Sequence, residues 1–132
     1  MPIIFPDLEV IIVNHLTSEF DAVSGDYGAV RVGTKKTPPG LPAPDREVVV
    51  TANYTSTTQD MIRDASAVID VYSNDYAEAS LIGNLTAALI TTVTGDSIKR
   101  AVVTLGPVRM AEEGPAEKRS LYIDFTVKGS EL

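Results

Sequence analysis

The sequence offers few residues with which to build a catalytic or metal-binding site. Its 132 residues include one histidine, His15, and no cysteine. This excludes a thiol nucleophile, a cysteine–zinc site and a pair of catalytic histidines. His15 lies among Ile11, Ile12 and Leu16, and a lone histidine in an apolar helical stretch is typical of a packed or border residue. The sequence contains no phosphate-binding glycine loop and no G-x-S-x-G nucleophile elbow.

Two carboxylate pairs have residue types that can bind Mg²⁺ or act as an acid and a base. They are Asp60 with Asp64 and Asp75 with Glu78. Their spacing matches no defined metal loop, because the glycine and oxygen-ligand pattern of an EF-hand is missing. Structural roles suffice: Asp75 and Glu78 have the spacing of a helix capping box, and Asp60 and Asp64 flank Arg63 in a polar segment. We therefore predict no catalytic residue, no metal site, no cofactor and no enzymatic activity.

Apolar residues at helical spacing predict two helices. The first covers residues 7–20 and ends at Ser24-Gly25-Asp26. The second begins at the capping residue Asp75 and runs to residue 93, with Gly95 as a left-handed cap. These helices carry the apolar faces against which the remaining elements must pack.

Alternating and β-branched patterns predict the strands. We predict strands over residues 29–32, 47–54, 66–72, 98–105 and 119–128. Loops are expected at residues 33–45, which hold four of the eight prolines, at 55–65 and at 111–118, and Gly106-Pro107 is expected to break the fourth strand. The order α-β-β-β-α-β-β indicates one α+β domain over residues 1–132, with a mixed or antiparallel sheet and both helices packed on one face.

The net charge of −7 is concentrated in two segments. Residues 1–30 hold five acidic residues and no lysine or arginine, and residues 60–78 hold five acidic residues against Arg63 alone. This balance argues against electrostatic wrapping of nucleic acid. If the two segments share a surface, the protein has an acidic face. The alternative is that these are solvated surfaces that keep the protein soluble.

The first residues lack the basic region of a signal peptide, and the longest uncharged stretch, residues 79–95, is too short to span a bilayer comfortably. We therefore expect an intracellular protein without membrane contact.

The arrangement of motifs has a recognisable counterpart. Phe5-Pro6-Asp7-Leu8-Glu9 opens an amphipathic helix, a proline-rich loop separates two strands, and Ile69-Asp70-Val71-Tyr72 precedes a capped helix with two closing strands. Over nearly the whole chain, this arrangement resembles the tail terminator proteins of long-tailed, siphovirus-type bacteriophages, especially those of actinobacterial hosts.

The resemblance implies a structural role in a virion. Tail terminators are single α+β domains that form a hexameric ring, cap the tail tube, end its polymerisation and join the tail to the head–neck connector. The implied partners are further copies of the chain, the tail tube protein, the connector proteins and viral DNA, which passes through the lumen without specific binding. The implied location is the tail–neck junction of the virion, after assembly in the host bacterial cytoplasm.

Under this resemblance, the loops at 33–45 and 55–64 are expected to contact neighbouring subunits or rings. The candidate interface residues are Pro38, Leu41, Arg63, Asp64, Asp70, Arg109 and Arg119. The candidates for an acidic lumen, which would repel phosphate and let DNA slide, are Asp7, Glu9, Glu19, Asp21, Asp60, Asp75 and Glu78. At least one of the two acidic segments is then expected to face the DNA channel.

Two alternatives remain open. The first is a head-completion or stopper protein of the neck, which would share the virion context. The second is a cytosolic α+β ligand-binding domain or small enzyme, against which the lack of a convergent polar cluster in the sequence counts.

Overall fold

Two helices lie on one face of a five-stranded sheet in the computed structural model of the chain, which describes residues 2–38, 45–56, 61–93, 95–111 and 116–131. In chain order the elements are β1 (Ile3–Ile4), α1 (Leu8–Tyr27), β2 (Arg31–Gly33), β3 (Arg46–Tyr54), β4 (Ile62–Ser73), α2 (Tyr76–Ile90), β5 (Ile98–Met110), β6 (Glu117–Lys128) and β7 (Ser130–Glu131). The predicted α+β class and the order α-β-β-β-α-β-β are confirmed, with a two-residue strand added at each end.

The sheet is mixed, with strand order β2-β3-β4-β6-β5. β2 runs parallel to β3, and every other neighbouring pair in this sheet is antiparallel. β2 and β5 are therefore its two edge strands. The small strands β1 and β7 pair with each other and bring the two ends of the described chain together.

The core lies between the helices and the sheet. α1 packs on β2, β3 and α2, whereas α2 packs on β4, β5 and β6. The predicted apolar face of α1 is buried, and so are the alternate residues of β4 and β6 that point at the helices. These residues are Leu8, Ile12, Leu16 and Phe20 in α1, Ala65, Ala67, Ile69 and Val71 in β4, and Leu121, Ile123, Phe125 and Val127 in β6.

Both helices end at other positions than predicted. α1 continues through Ser24-Gly25-Asp26 to Tyr27, and Gly28, with φ of 84°, caps it by donating its N–H to the carbonyl of Ser24 at 2.8 Å. α2 ends at Ile90 and not at residue 93, so Gly95 is not its cap. The hydroxyls of Thr91 and Thr92 donate to the carbonyls one turn back, which satisfies acceptors that a glycine cap would otherwise serve.

The strands also extend further than predicted. β4 begins at Ile62, inside the predicted polar loop, because its first residues pair with the end of β6. Gly106-Pro107 does not end β5, which runs on to Met110. Around this position the pairing of β5 with β6 shifts in register, and the peptide bond before Pro107 is cis.

Candidate functional site

The sheet face away from the helices carries Asp64, Asp70 and Asp124, because these positions alternate with the buried residues of β4 and β6. Asp70, one of the candidate interface residues, thus lies on the side of β4 opposite the core. Its Oδ1 accepts a hydrogen bond from the Ser120 hydroxyl at 2.6 Å. Asp70 therefore contributes to this face as a carboxylate that already has a partner in its own chain.

An aromatic cluster holds the start of the chain against β3 and β4. The Tyr54 hydroxyl donates to the carbonyl of Pro6 at 2.7 Å, and its ring meets Phe5 edge-on at 5.6 Å. The Arg63 guanidinium lies 4.4 Å from the centre of the Tyr54 ring and donates through Nε to the carbonyl of Ser56. Burial raises the pKa of Tyr54, and the positive charge of Arg63 partly opposes this.

The Phe-Pro-Asp opening, which carries much of the resemblance, therefore has a direct structural purpose. It supplies a ring and a carbonyl to the cluster, and Asp7 caps α1 by accepting a hydrogen bond from the N–H of Val10. Arg63, which we predicted at a subunit contact, is directed at the aromatic rings of its own chain.

A second cluster surrounds the first residue of α2. Arg109 makes a two-bond contact to Glu117, with both N···O distances 3.1 Å, and Arg119 donates to the same carboxylate at 3.2 Å. The centre of the Tyr76 ring lies 4.9 Å from the guanidinium of Arg109 and 4.7 Å from that of Arg119. The sequence analysis did not identify Tyr76 and Glu117. The sequence could have indicated them only through their positions, next to the start of a helix and the start of a strand.

Arg119 differs from the other predicted interface residues because its side chain is only 4% exposed. Besides Glu117, it donates to the carbonyl of Tyr76 and to the hydroxyl of Ser80. Its partners therefore belong to its own chain, and it is poorly placed to reach a neighbour. Arg109 is exposed, and an intersubunit role for it stays a prediction.

The pKa of Glu117 is lowered from its usual 4.5, first by the hydrogen bond from Arg109 and then by that from Arg119. Because the unfolded chain binds this proton more readily, the stabilisation is complete above the usual pKa and is lost as the pH falls through the folded value. We expect wild-type stability to fall more steeply than that of Glu117→Gln as the pH is lowered from 7 to about 3. Urea unfolding at each pH measures this.

Asp124→Asn is the matched control for the acid titration, since it removes an exposed carboxylate from the neighbouring part of the same strand. Its stability at pH 7 should lie within about 0.5 kcal/mol of the wild type, because the side chain it changes is exposed. Parallel stability curves for wild type and Glu117→Gln would contradict the assignment of a lowered pKa to this carboxyl.

The start of α2 uses both members of one carboxylate pair. Asp75 Oδ2 accepts from the N–H of Glu78 at 2.9 Å, which confirms the capping role of Asp75. Glu78 does not reach back to the N–H of Asp75. Its carboxylate instead accepts from Arg46 at 2.9 Å and from the Ser73 hydroxyl at 2.8 Å. Only one of the two hydrogen bonds of a capping box is therefore formed.

The acids of residues 1–30 form a different surface, along α1. Glu9 accepts the N–H of Ala52 at 3.0 Å, at a point of β3 that β2 does not reach. Asp21 and Asp26 are exposed, and Glu19 is half-buried. In the described part of the chain, no lysine or arginine forms a salt bridge with an acid of α1 or with Asp7.

The two acidic segments therefore do not share one face. The described acids of residues 61–78 lie on the outer sheet face or at the start of α2, whereas those of residues 1–30 follow α1. Pro38 is exposed, and Leu41 and Asp60 lie outside the described residues. The predicted interface and lumen roles of all these residues stay predictions.

The opposite edge of the sheet is basic. β5 contains Lys99, Arg100 and Arg109 and no acidic residue. Lys99 and Arg100 are exposed, and among the described residues neither has a carboxylate partner. Leu105, at the middle of this edge strand, is 56% exposed. The sequence reading missed this edge, although a 13-residue segment with only basic charges was visible in it.

His15 joins the two helices. Its Nε2 lies 2.9 Å from the carbonyl oxygen of Leu89 and 3.1 Å from the hydroxyl of Thr92. Because a carbonyl oxygen only accepts, Nε2 carries the proton in this contact. The prediction of a packed or border histidine is confirmed.

The outer sheet face has one depression that bears on ligand binding. It has a volume of about 410 Å³ and is lined by polar residues that include Asp64, Arg100 and Asp124. The volume lies within the range of small-molecule sites, so this is where the ligand-binding alternative would place its site. The described residues contain no group of three or more histidine, aspartate or glutamate side chains placed to hold a metal ion.

The fold is similar to that of a chain in the solved structure of the virion of a native gene transfer agent particle. The match has a TM-score of 0.68 at 14% sequence identity. It covers 92% of this chain and 95% of the other chain.

At this identity the likeness shows a shared fold. No protein-family model matches the sequence, and no curated protein matches it significantly. Within the described ranges, neither helix has the length and apolar character needed to cross a membrane.

Proposed function

We propose that the chain is a structural protein of a phage-like virion, and specifically a tail terminator that forms a ring on the end of the tail tube. The observation that carries the virion role is the near-complete overlap of the fold with a chain of a gene transfer agent virion, which leaves little of either chain unmatched. The tail terminator role is supported by the motif order that resembles tail terminators.

The architecture suits a ring. A cyclic assembly joins two different surfaces of each subunit, and this sheet has two chemically different edges, the short strand β2 beside the acidic α1 and the long basic strand β5. In this proposal, the ring ends tube polymerisation, contacts the connector on its other side and leaves a channel for DNA. An acidic wall would keep the DNA mobile.

The candidates for that wall divide into two groups. Glu19 and Asp21 are on α1, the acidic surface without internal cations among the described residues. Asp75 and Glu78 already hold the start of α2, and Glu78 is neutralised by Arg46. Of the predicted lumen residues, those on α1 are therefore the carboxylates that no lysine or arginine of the described chain neutralises.

Locating the chain within purified particles tests the proposal. Gold-labelled antibody, or density assigned to the chain by electron microscopy, should place it at the junction between the tail tube and the neck. Addition of the protein to polymerising tail tube protein should cap the tubes and fix their length. A position against the portal, with no effect on tube growth, would favour the stopper alternative, and absence from particles would overturn a virion role.

A further inference from the structure

We infer that the β5 edge of one copy docks against the α1 flank of the next copy, and that this is the contact that closes the proposed ring. The partner that covers the β5 edge is thus a second copy of this chain. The inference rests on the proposed function for the ring itself, but the contact follows from features of the described surface.

The first feature is the open edge. β5 is 13 residues long and pairs with β6 on one side only within the described chain. Leu105 is largely exposed on it, and Met110 is 37% exposed. A long edge strand with exposed apolar residues is a surface that proteins ordinarily cover or protect.

The second feature is charge. The charged residues of β5 are all basic, whereas α1 with its cap holds five acidic residues and no lysine or arginine. Lys99 and Arg100 lack carboxylate partners among the described residues, and the α1 acids lack cationic ones. The two surfaces therefore have complementary charges that their own chain leaves unpaired.

The third feature is position. α1 covers β2 and β3, at one edge of the sheet, and β5 forms the other edge. The complementary surfaces thus lie on opposite sides of the molecule. Surfaces arranged in this way join copies head to tail, which is the heterologous contact that a ring needs. The other edge cannot serve as a long strand partner, because β2 has three residues and Glu9 occupies the N–H of Ala52 beyond it.

This contact has a consequence for the channel. Carboxylates of α1 that face the β5 cations of the adjacent copy do not face DNA. In a ring built this way, the outer sheet face or the ring mouth shapes the channel, and the charge of α1 serves assembly.

Charge reversal at each surface tests the inference. Arg100→Glu on β5 and Asp21→Lys on α1 both change exposed residues, so both variants should fold as the wild type does. Each alone should weaken self-association about tenfold or more, because it places like charges in the contact. Sedimentation velocity and native mass spectrometry measure this. The controls are Lys35→Glu and Glu131→Lys, exposed reversals of the same sign outside β5 and α1.

Mixing the two variants gives the sharper result. In an equimolar mixture, the reversed β5 edge meets the reversed α1 flank, and higher assemblies with alternating copies should return. The contact would be overturned if both variants associated as strongly as the wild type. It would also be overturned if mixing the two variants did not restore association. So would a wild-type chain that stays monomeric at every concentration, with or without tube ends.

These outcomes are separable from those of the proposed function. If the chain is found at the tail–neck junction but its assembly is insensitive to both reversals, the proposed function stands and the proposed contact is wrong. If the chain associates through these two surfaces but is missing from particles, the contact stands and the proposed function is wrong.

Discussion

Replacement of Phe20 by alanine should lower the free energy of unfolding by about 3–5 kcal/mol. Phe20 is fully buried in the middle of the core, where α1 packs on the sheet. The substitution removes a large apolar side chain and leaves a cavity that close-packed neighbours fill only in part. A loss of this size is a large fraction of the stability of an ordinary domain. Urea unfolding followed by circular dichroism measures it.

Val10→Ala on the same helix is the control, because Val10 is half exposed on the outer side of α1. Its effect should lie within about 0.5 kcal/mol. The m-value should stay the same in both variants if each still unfolds in one step. A loss below about 1 kcal/mol for Phe20→Ala would contradict the packing described for α1.

The second large effect concerns Gly106 in β5. Its φ of 99° lies in the region that side chains disfavour, and an added Cβ would collide with the carbonyl oxygen of Ser120 on β6. The same Cβ would lie 3.2 Å from the Cα of Leu121. Gly106→Ala should therefore cost about 2–4 kcal/mol, from backbone strain together with displacement of β6.

Gly25→Ala provides a control of opposite sign. Gly25 lies inside α1, and no atom comes within 4 Å of a Cβ added there. Alanine is favoured over glycine in a helix interior, so this variant should be more stable by about 0.5–1 kcal/mol. Thermal and urea unfolding of both variants would test the pair. Equal effects at the two positions would show that Gly106 does not approach β6 as described.

The elements with strong local patterns were the ones predicted best. The helical spacing of apolar residues predicted α1, where Leu8, Ile12, Leu16 and Phe20 are buried, and the alternating pattern predicted β6, where alternate residues are buried. Asp75 identified the start of α2. Each of these signals depends on residues close together in the chain, where backbone periodicity alone determines which side chains share a face.

Element ends were predicted less well, because long-range contacts outweigh local signals there. Gly25 reads as a helix terminator, yet α1 passes through it to Tyr27, and Gly28 provides the cap. Gly106-Pro107 reads as a strand break, yet β6 continues to pair beyond it and keeps β5 in the sheet. In β5, pairing with a strand distant in sequence therefore outweighs the local preference of Gly106-Pro107 for a break.

The candidate surfaces also divide into features that the sequence predicted and features that depend on long-range contacts. The charge count located the acids of residues 1–30, but nothing local indicated that α1 would present them away from internal cations. Arg119 was predicted at a subunit or ring interface. The structure buries it because β6 places it beside Tyr76 and Ser80 at the start of α2.

By itself, the sequence determined the α+β class, the order of the main elements, the faces they bury and the uneven distribution of charge. Only the tertiary structure decided that β6 lies between β4 and β5, that β2 is parallel, and that β5 is a basic edge opposite the acidic α1. The physical reason is that periodicity specifies which side of an element is apolar, whereas strand order depends on pairing between segments far apart in the chain. The edges of a sheet, and therefore the surfaces through which copies can join, exist only once that pairing is made.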